Sequence, residues 1–220
     1  MLALVFEVSP REGHESHYFE RAAILRPRVE ANPGLLFLDR YRSLSRPGII
    51  LSHSLWKDKA SLEAWRTDKV HRSAQDAGRN THFADYRIRI APVIDHVEPD
   101  IAHSDSANSV DRTSTSEFGN EPGQVPVKFL LIVASLGPLD CQSGETFESL
   151  NRTGVNLTIA TENTLSAARE FVSQMRGISQ VSDIKCCTVL RDYGMFDRAQ
   201  APADKDVRAG ESVSVGGSNS

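Results

Sequence analysis

Apolar and polar positions alternate or recur at helical spacing over much of the first half of the chain. The segment LALVFEVS, residues 2–9, predicts a first strand that Pro10 and Gly13 end. A helix follows, because four apolar residues then recur along one helical stripe. They are Tyr18, Ala22, Leu25 and Val29. Pro27 within this pattern is expected to kink the helix or restart it.

The next part of the pattern predicts a hairpin, a second helical region and a last strand. Residues 35–44 and 49–56 are strand-like and flank the turn sequence Arg46-Pro47-Gly48. Asp58 caps a helix over 58–65, and 69–79 forms a separate short helix. A fourth strand covers 86–97, where Pro92 predicts a bulge or an unpaired amide. The order β, α, β, β, α, β predicts an α+β ferredoxin-like unit.

A weaker copy of this pattern returns later in the chain. The segment 41–65 and the segment 147–171 can be aligned at an offset of 106 residues, which predicts an internal repeat. The identical pairs are Ser43/Ser149, Leu44/Leu150, Arg46/Arg152, Gly48/Gly154 and Leu51/Leu157. We attribute the arginines to hairpin geometry. The predicted fourth strand of this copy, 183–192, follows its helix.

The second copy is shorter than the first. Between Pro138 and Phe147 there is too little chain for a helix like the one predicted between Pro10 and Tyr41, so the second unit is expected to lack its first helix. Residues 98–126 are polar and poor in apolar side chains, which predicts a disordered linker. We therefore expect a unit at 1–97, the linker at 98–126, a degenerate second unit at 127–198 and a disordered tail at 199–220. Because each unit has a small core, pairing of the units is expected.

Composition excludes several function classes. The net charge of −4 comes without a basic cluster, which argues against nucleic-acid binding. The longest apolar run, FLLIVASL, is too short to span a membrane, and the N-terminus has no basic region typical of a signal peptide. Three cysteines without metal-ligand spacing predict reduced thiols in a cytoplasmic protein. Cys186 and Cys187 are adjacent on a strand and should point to opposite faces.

The first unit resembles a known family. The segments LALVFEVSP, LEAWRTDKVHRSAQDAGR and ADYRIRIAPVIDHV are similar to those of the antibiotic biosynthesis monooxygenase family. The resemblance implies ferredoxin-like units that pair into a dimeric α/β barrel, either as a homodimer or within one chain. It implies a cofactor-independent monooxygenase that uses O2 on a small aromatic or polyketide-like compound. The alternative is a non-catalytic ligand-binding or structural barrel.

We expect the site in a cavity enclosed by the barrel, on the sheet face opposite the helices. By the family motif Trp65 and His71 are the catalytic candidates: the indole offers a stacking surface, and the imidazole can remove a phenolic proton. Ser52 and Ser54 share a strand face with Trp56 and leave space beside its ring. The substrate-binding candidates are Trp56, Phe6, Arg79, Tyr86, Arg87 and Arg89.

Structural roles compete with several of these assignments. Trp65 has an aromatic counterpart at Phe171, which favours a core position, and His71 lies in a polar run typical of a surface. Arg87 and Arg89 can pair with acids such as Asp95 or Glu7 instead of a ligand. His53 lies between leucines, as a core histidine would.

Haem, metal and nucleotide sites are not supported by the spacing of the residues. In the haem-degrading branch of the superfamily an asparagine, a tryptophan and a histidine occupy positions that here hold Phe6, Trp65 and Gln75, so haem degradation is disfavoured. His14 and His17 have metal-like spacing but no third ligand near them in sequence, and no metal site is expected. Since no glycine-rich phosphate loop is present, we expect no nucleotide cofactor.

Overall fold

A computed structural model describes residues 1–97 and 127–202, and the predicted linker at 98–126 and the tail beyond 202 lie outside this part of the chain. The first unit contains four strands and two separate helical regions on the second crossover. Its elements are β1 Leu2–Pro10, α1 Glu15–Glu30, β2 Leu35–Ser43, β3 Ile50–Trp56, α2 Lys59–Thr67, α3 Lys69–Ala77, a π-helical turn Gly78–His82 and β4 Phe83–Val97. Helix α1 continues through Pro27 without a break.

The second unit repeats this order without the first helix, as predicted. Its elements are β5 Phe129–Leu136, β6 Gly144–Ser149, β7 Val155–Glu162, α4 Leu165–Arg176, β8 Val181–Thr188 and β9 Arg191–Gly194. The fourth strand predicted over 183–192 is therefore two shorter strands, and both pair with β4.

The strands form a closed barrel within one chain. Their order is β1-β3-β2-β6-β7-β5-β8-β4, and β4 pairs with β1 to close the barrel. The short strand β9 pairs with residues 87–90 of β4, next to the part of β4 that pairs with β8. The two ferredoxin-like units thus meet along two seams, β2 with β6 and β4 with β8 and β9. The predicted fold class is confirmed, and closure removes the exposed strand edges that each unit would have alone.

The interior of this barrel is packed. Tyr41, Leu51 and Phe147 are fully buried there, and shorter side chains fill the remaining space. The enclosed cavity expected on this face is therefore absent, and that prediction was wrong. Large residues from both units pack against one another in this cluster.

The first seam is symmetric about the middle of β2 and β6. Tyr41 pairs with Ser149 and Ser43 pairs with Phe147, with Arg42 opposite Glu148 at the centre. Adding the repeat offset of 106 to Tyr41 gives Phe147, and adding it to Ser43 gives Ser149, so the two pairs contain the same two positions of the repeat. The register is therefore that of an isologous contact, in which each unit offers the same surface to the other.

Two carboxylates hold this seam from opposite sides. Asp39 of β2 accepts hydrogen bonds from Ser149 Oγ (2.8 Å), Asn151 Nδ2 (2.6 Å) and Arg152 Nε (2.9 Å) of the β6–β7 turn. Burial opposes ionisation of Asp39, but these donors together with the amide of Arg40 lower its pKa. Asp39 is thus a buried anion that the other unit neutralises.

Glu145 of β6 makes the mirror-image contact to the β2–β3 turn. Ser43 Oγ donates to it at 2.5 Å, Arg46 Nε donates at 2.7 Å, and Ser45 Oγ lies 3.4 Å away. Each acid and its donors are related by the same 106-residue offset. We call the two contacts the seam clamps. They give Arg46 and Arg152 a role in joining the units, which hairpin geometry alone did not predict.

Side chains on neighbouring positions of β8 point to opposite faces, as expected for the two adjacent cysteines. Cys187 faces the barrel interior, and Cys186 packs beneath α4. Burial raises the pKa of Cys186 to about 11 and that of Cys187 to about 12, so both thiols are protonated at neutral pH. In the described ranges 1–97 and 127–202, no helix combines the length and apolarity needed to cross a membrane.

His53 is buried in the barrel beside Phe37, with its Nδ1 3.3 Å from the carbonyl oxygen of Leu4. That carbonyl accepts a hydrogen bond only when Nδ1 carries the proton. Burial lowers the pKa of His53 to about 4, far below its ordinary value. The interpretation of His53 as a core histidine agrees with this position.

The seam clamps predict unequal costs for two symmetric substitutions. Asp39→Ala should lower the free energy of unfolding by about 2–4 kcal/mol because it leaves the buried Ser149 hydroxyl without its acceptor and removes a buried, multiply hydrogen-bonded carboxylate. Glu145→Ala should cost about 1 kcal/mol, because the Glu145 side chain is 23% exposed whereas that of Asp39 is 4% exposed. Urea unfolding measures both, and equal losses would contradict the assigned role of burial.

The buried imidazole predicts a loss of stability in acid. Because the pKa of His53 is lower in the folded state than in the unfolded state, its contribution is complete above about pH 6.5 and is lost as the pH falls towards 4. The loss amounts to about 3 kcal/mol. His53→Ile, which copies Ile159, should flatten the pH dependence of urea unfolding between pH 4 and 6.5. His17→Gln, at an exposed histidine, should leave the profile of the parent unchanged.

Candidate active site

A cavity of about 280 Å³ lies between the outer face of the first unit's strands and its helices. Its floor comes from β1, β3 and β4, and α1, α2, α3 and the π-helical turn cover it. The size suits a small organic molecule. The site is therefore on the helix side of the sheet, opposite to the face expected from the sequence.

The body of the cavity is apolar. Leu4, Phe6 and Ile88 project into it from neighbouring strands and are only partly buried, although each lies beneath helices. Ser52 and Ser54 leave space on β3, and Ser54 Oγ accepts a hydrogen bond from Trp56 Nε1 at 2.9 Å. The two serines lie beside Trp56, as predicted, and Ser54 provides the hydrogen-bond acceptor for the indole NH.

The break between α2 and α3 positions the two catalytic candidates. Asp68 ends α2 and caps α3, with its carboxylate accepting from the amides of Val70 (3.0 Å) and His71 (2.9 Å). Arg28 of α1 pairs with Asp68 at 2.8 Å, and its hydrogen bonds help to lower the pKa of Asp68 to about 2. A permanently ionised cap thus fixes where α3 begins and where the His71 ring lies.

His71 is held in one orientation. Its ring stacks on Trp65 at a centroid distance of 4.0 Å and an angle of 14°, and its Nδ1 lies 2.9 Å from the Trp65 carbonyl oxygen. A carbonyl can only accept, so Nδ1 carries the proton and Nε2 has the free electron pair. Gln75 Nε2 lies beside the ring, 3.2 Å from Nδ1 and 3.4 Å from Nε2. Burial lowers the pKa of His71, which keeps the ring neutral at pH 7.

Trp65 and its counterpart Phe171 have different surroundings. Trp65 lines the cavity and is partly buried. Phe171, on α4, is buried in the core between that helix and the strands of the second unit. The first unit has α1 as a cover that stands away from the sheet. In the second unit α4 packs directly on its strands, so its aromatic side chain becomes core.

The second unit also supplies one wall of the cavity. Leu190, Arg191 and Tyr193 reach it from β9 and the preceding turn, and Arg198 donates to Tyr86 Oη at 2.7 Å. The truncated second unit thus contributes lining residues to the cavity of the first unit.

Six of the eight predicted site residues line this one cavity. They are Phe6, Trp56, Trp65, His71, Arg79 and Tyr86. The other two lie on the opposite face of β4: Arg87 pairs with Asp192 at 2.6 Å, and Arg89 is buried and pairs with Glu7. Arg87 and Arg89 are therefore ion-paired and lie outside the cavity, in line with the structural alternative. Sequence alternation placed them together but could not show which face holds the ligand.

Sequence reasoning missed Tyr18, Arg40 and Arg198, which also line the cavity. Burial raises the pKa of Tyr18, while the adjacent Arg40 opposes the shift. Tyr18 carried a signal as part of the α1 stripe, but the stripe predicted only burial. Arg40 and Arg198 have no such signal, because long-range packing alone brings them to the cavity.

Three histidines meet near the cavity mouth. His14 Nδ1 lies 2.9 Å from His82 Nδ1, and the His17 ring lies 4.9 Å from that of His82. His14 and His17 have no third histidine near them in sequence, but the fold brings His82 of the π-helical turn beside them. Within the described part of the chain, however, no group of histidine, cysteine or acidic side chains has the arrangement of a metal site.

Together the fold and the cavity define a class: an α+β barrel with a small-molecule site between sheet and helices. The family model for antibiotic biosynthesis monooxygenase matches residues 1–77. The jasmonate monooxygenase of Pyricularia oryzae is 31% identical over 212 residues, which cover 92% of this chain and 97% of that protein. The chain belongs to the antibiotic biosynthesis monooxygenase family.

More distant relatives match only part of the chain. The uncharacterized protein YqjZ of Bacillus subtilis is 26% identical over 91 residues, covering 41% of this chain and 77% of that protein. Among solved structures, an antibiotic biosynthesis monooxygenase has 16% identity and a TM-score of 0.39, with 43% of this chain and 100% of that chain covered. A Mycobacterium tuberculosis protein has 15% identity and a TM-score of 0.37, with coverages of 43% and 95%.

The different surroundings of the two aromatic counterparts give a stability prediction. Phe171→Ala should cost about 3–5 kcal/mol because it empties a packed core site. Trp65→Ala should cost less, about 1–3 kcal/mol, since part of its ring faces the cavity. Chemical denaturation of both variants tests this, and an equal or larger loss at Trp65 would place its ring in the core instead.

Proposed function

We propose that the protein is a monooxygenase that binds a small, largely apolar substrate in the cavity of its first unit. The observation that carries the proposal is the fixed, neutral His71 ring, which stacks on Trp65 at the edge of an apolar cavity. A surface histidine would not be stacked on an indole and partly buried at a cavity. The family membership supports the same reaction class.

The chemistry follows from the state of the ring. Nε2 of His71 can take a proton from an acidic C–H or phenolic O–H of the substrate, and the resulting anion transfers electrons to O2 more readily than the neutral compound. With a phenol oxidised to a quinone, one oxygen atom enters the ring and the other leaves as water. The substrate supplies all the electrons, so this reaction needs no separate reductant and no cofactor.

The apolar surroundings support the base in two ways. Exclusion of water strengthens the interaction of the anion with nearby dipoles. Trp65 and Trp56 offer ring faces on which a planar substrate can stack. A small aromatic or polyketide-like compound fits these features. The Pyricularia relative is named for an activity on jasmonate, so jasmonate belongs in the same substrate panel.

The test is O2 uptake by the purified protein with dihydroxynaphthalenes and with jasmonate, followed by mass spectrometry for the added oxygen atom. Jasmonate is assayed with and without NADH as a reductant. Oxygen consumption matched by oxygenated product supports the proposal. Binding of these compounds without oxygen uptake would instead make this a non-catalytic ligand-binding barrel.

His71→Gln gives the sharper test of mechanism. Loss of the base should lower turnover of a dihydroxynaphthalene at pH 7 by about 10²–10⁴-fold. Much of the rate should return at alkaline pH, where the phenol is already ionised, while the midpoint of thermal unfolding stays nearly unchanged. Arg72→Gln serves as control because Arg72 lies on α3 outside the cavity lining and the variant keeps the imidazole. A parent and a His71→Gln protein with the same pH profile would remove His71 from the reaction.

A further inference from the structure

The charge of the cavity lining differs from that of the whole protein. Six arginines and one lysine line the cavity or its mouth, against a single carboxylate, Glu63, which pairs with Arg66. The chain as a whole carries a net charge of −4. A positive cavity in a negative protein raises the local concentration of anions. This polarity favours an anionic ligand over an uncharged one of the same shape.

Arg79 is one of two cations in this lining with a buried nitrogen that lacks a hydrogen-bond partner. Its Nε is buried and has no hydrogen-bond partner, and no carboxylate of the described residues pairs with its side chain. Arg40 also has a buried Nε without a partner, but it lies beside Tyr18. Buried polar groups are normally hydrogen-bonded, so an unpartnered guanidinium NH at a cavity indicates a missing acceptor.

The position of Arg79 relative to His71 fits an anchoring role. His71, Gln75 and Arg79 recur every four residues and line the same cavity from α3 and the π-helical turn. Eight residues correspond to about 12 Å along a helix. An anion held at Arg79 therefore leaves the imidazole free for the reacting end of the same molecule.

The local backbone holds Arg79 at this place. A Cβ atom on Gly78 would lie 2.4 Å from the ring of Phe83, so only glycine allows the turn to pack against that ring. Phe83 in turn contacts Phe6 and Tyr86 at the cavity floor. The turn that carries Arg79 is thus anchored to the sheet.

We propose that the substrate is an organic anion and that Arg79 binds its carboxylate while the apolar body lies against Phe6 and Trp65. That the bound anion is the substrate rests on the proposed function. Binding of the anion itself does not depend on turnover. A guanidinium holds a carboxylate through two parallel N–H donors, which fixes the orientation of the molecule as well as its affinity.

The test compares acids with their methyl esters, which differ in charge but little in shape. The probes are 2-naphthoate and jasmonate with their methyl esters, and binding is followed by quenching of tryptophan fluorescence and by calorimetry. The parent should bind each acid about 10–100-fold more tightly than its ester. Arg79→Gln should remove this preference, and Arg79→Lys should keep part of it. Arg72→Gln is the control, because Arg72 lies on α3 outside the cavity lining.

The outcomes separate the two proposals. Loss of the acid preference in Arg79→Gln supports the anion site, even when no compound is oxidised and the monooxygenase proposal fails. An unchanged ratio of acid to ester affinity in that variant would overturn the anion site, whatever the turnover of the parent. Equal affinity of the parent for acids and esters would overturn it as well.

Stability without ligand provides a second readout. A buried guanidinium nitrogen without a partner destabilises the free protein, so Arg79→Met should raise the midpoint of thermal unfolding in the absence of acids. Adding 2-naphthoate should then stabilise the parent and leave the variant unchanged. A lower midpoint in Arg79→Met would show that Arg79 supports the fold and would contradict the assignment.

Discussion

The structure depends on two buried or half-buried carboxylates that each unit presents to the other. Asp39 and Glu145 each receive a serine hydroxyl and an arginine from the opposite turn. A carboxylate without these donors would be costly at the seam. The clamps therefore specify the register of β2 against β6. That register closes the barrel around Tyr41 and Phe147.

Closure of the barrel has a direct consequence for the site. Because the interior is filled by side chains from both units, the space for a ligand lies outside the sheet, under the helices. Among the described residues α1 belongs to the first unit, and the cavity of about 280 Å³ lies between that unit's sheet and helices. The second unit contributes the β9 wall and Arg198, so pairing within the chain makes the site as well as the core.

The sequence predicted most of the fold, and six of the eight residues named from it line the candidate site. Periodicity located the strands and helices, and the shortened second copy predicted the missing helix. Trp65 and His71 were predicted from the resemblance to the family, and Arg79 was named with them as a substrate-binding candidate. The side of the sheet on which they act could not be predicted, since alternation along a strand separates two faces without showing which one is filled. Arg40 and Arg198 were missed for a related reason: only long-range packing brings them to the cavity.

The central claim is that the first unit holds an anionic ligand between the sheet and α3. A crystal structure of the protein with bound 2-naphthoate tests it most directly. The account predicts the ring system against Trp65 and Phe6, with the carboxylate within hydrogen-bond distance of Arg79 and the interior of the barrel unchanged. Naphthoate bound elsewhere, or with its carboxylate turned away from Arg79, would contradict the account.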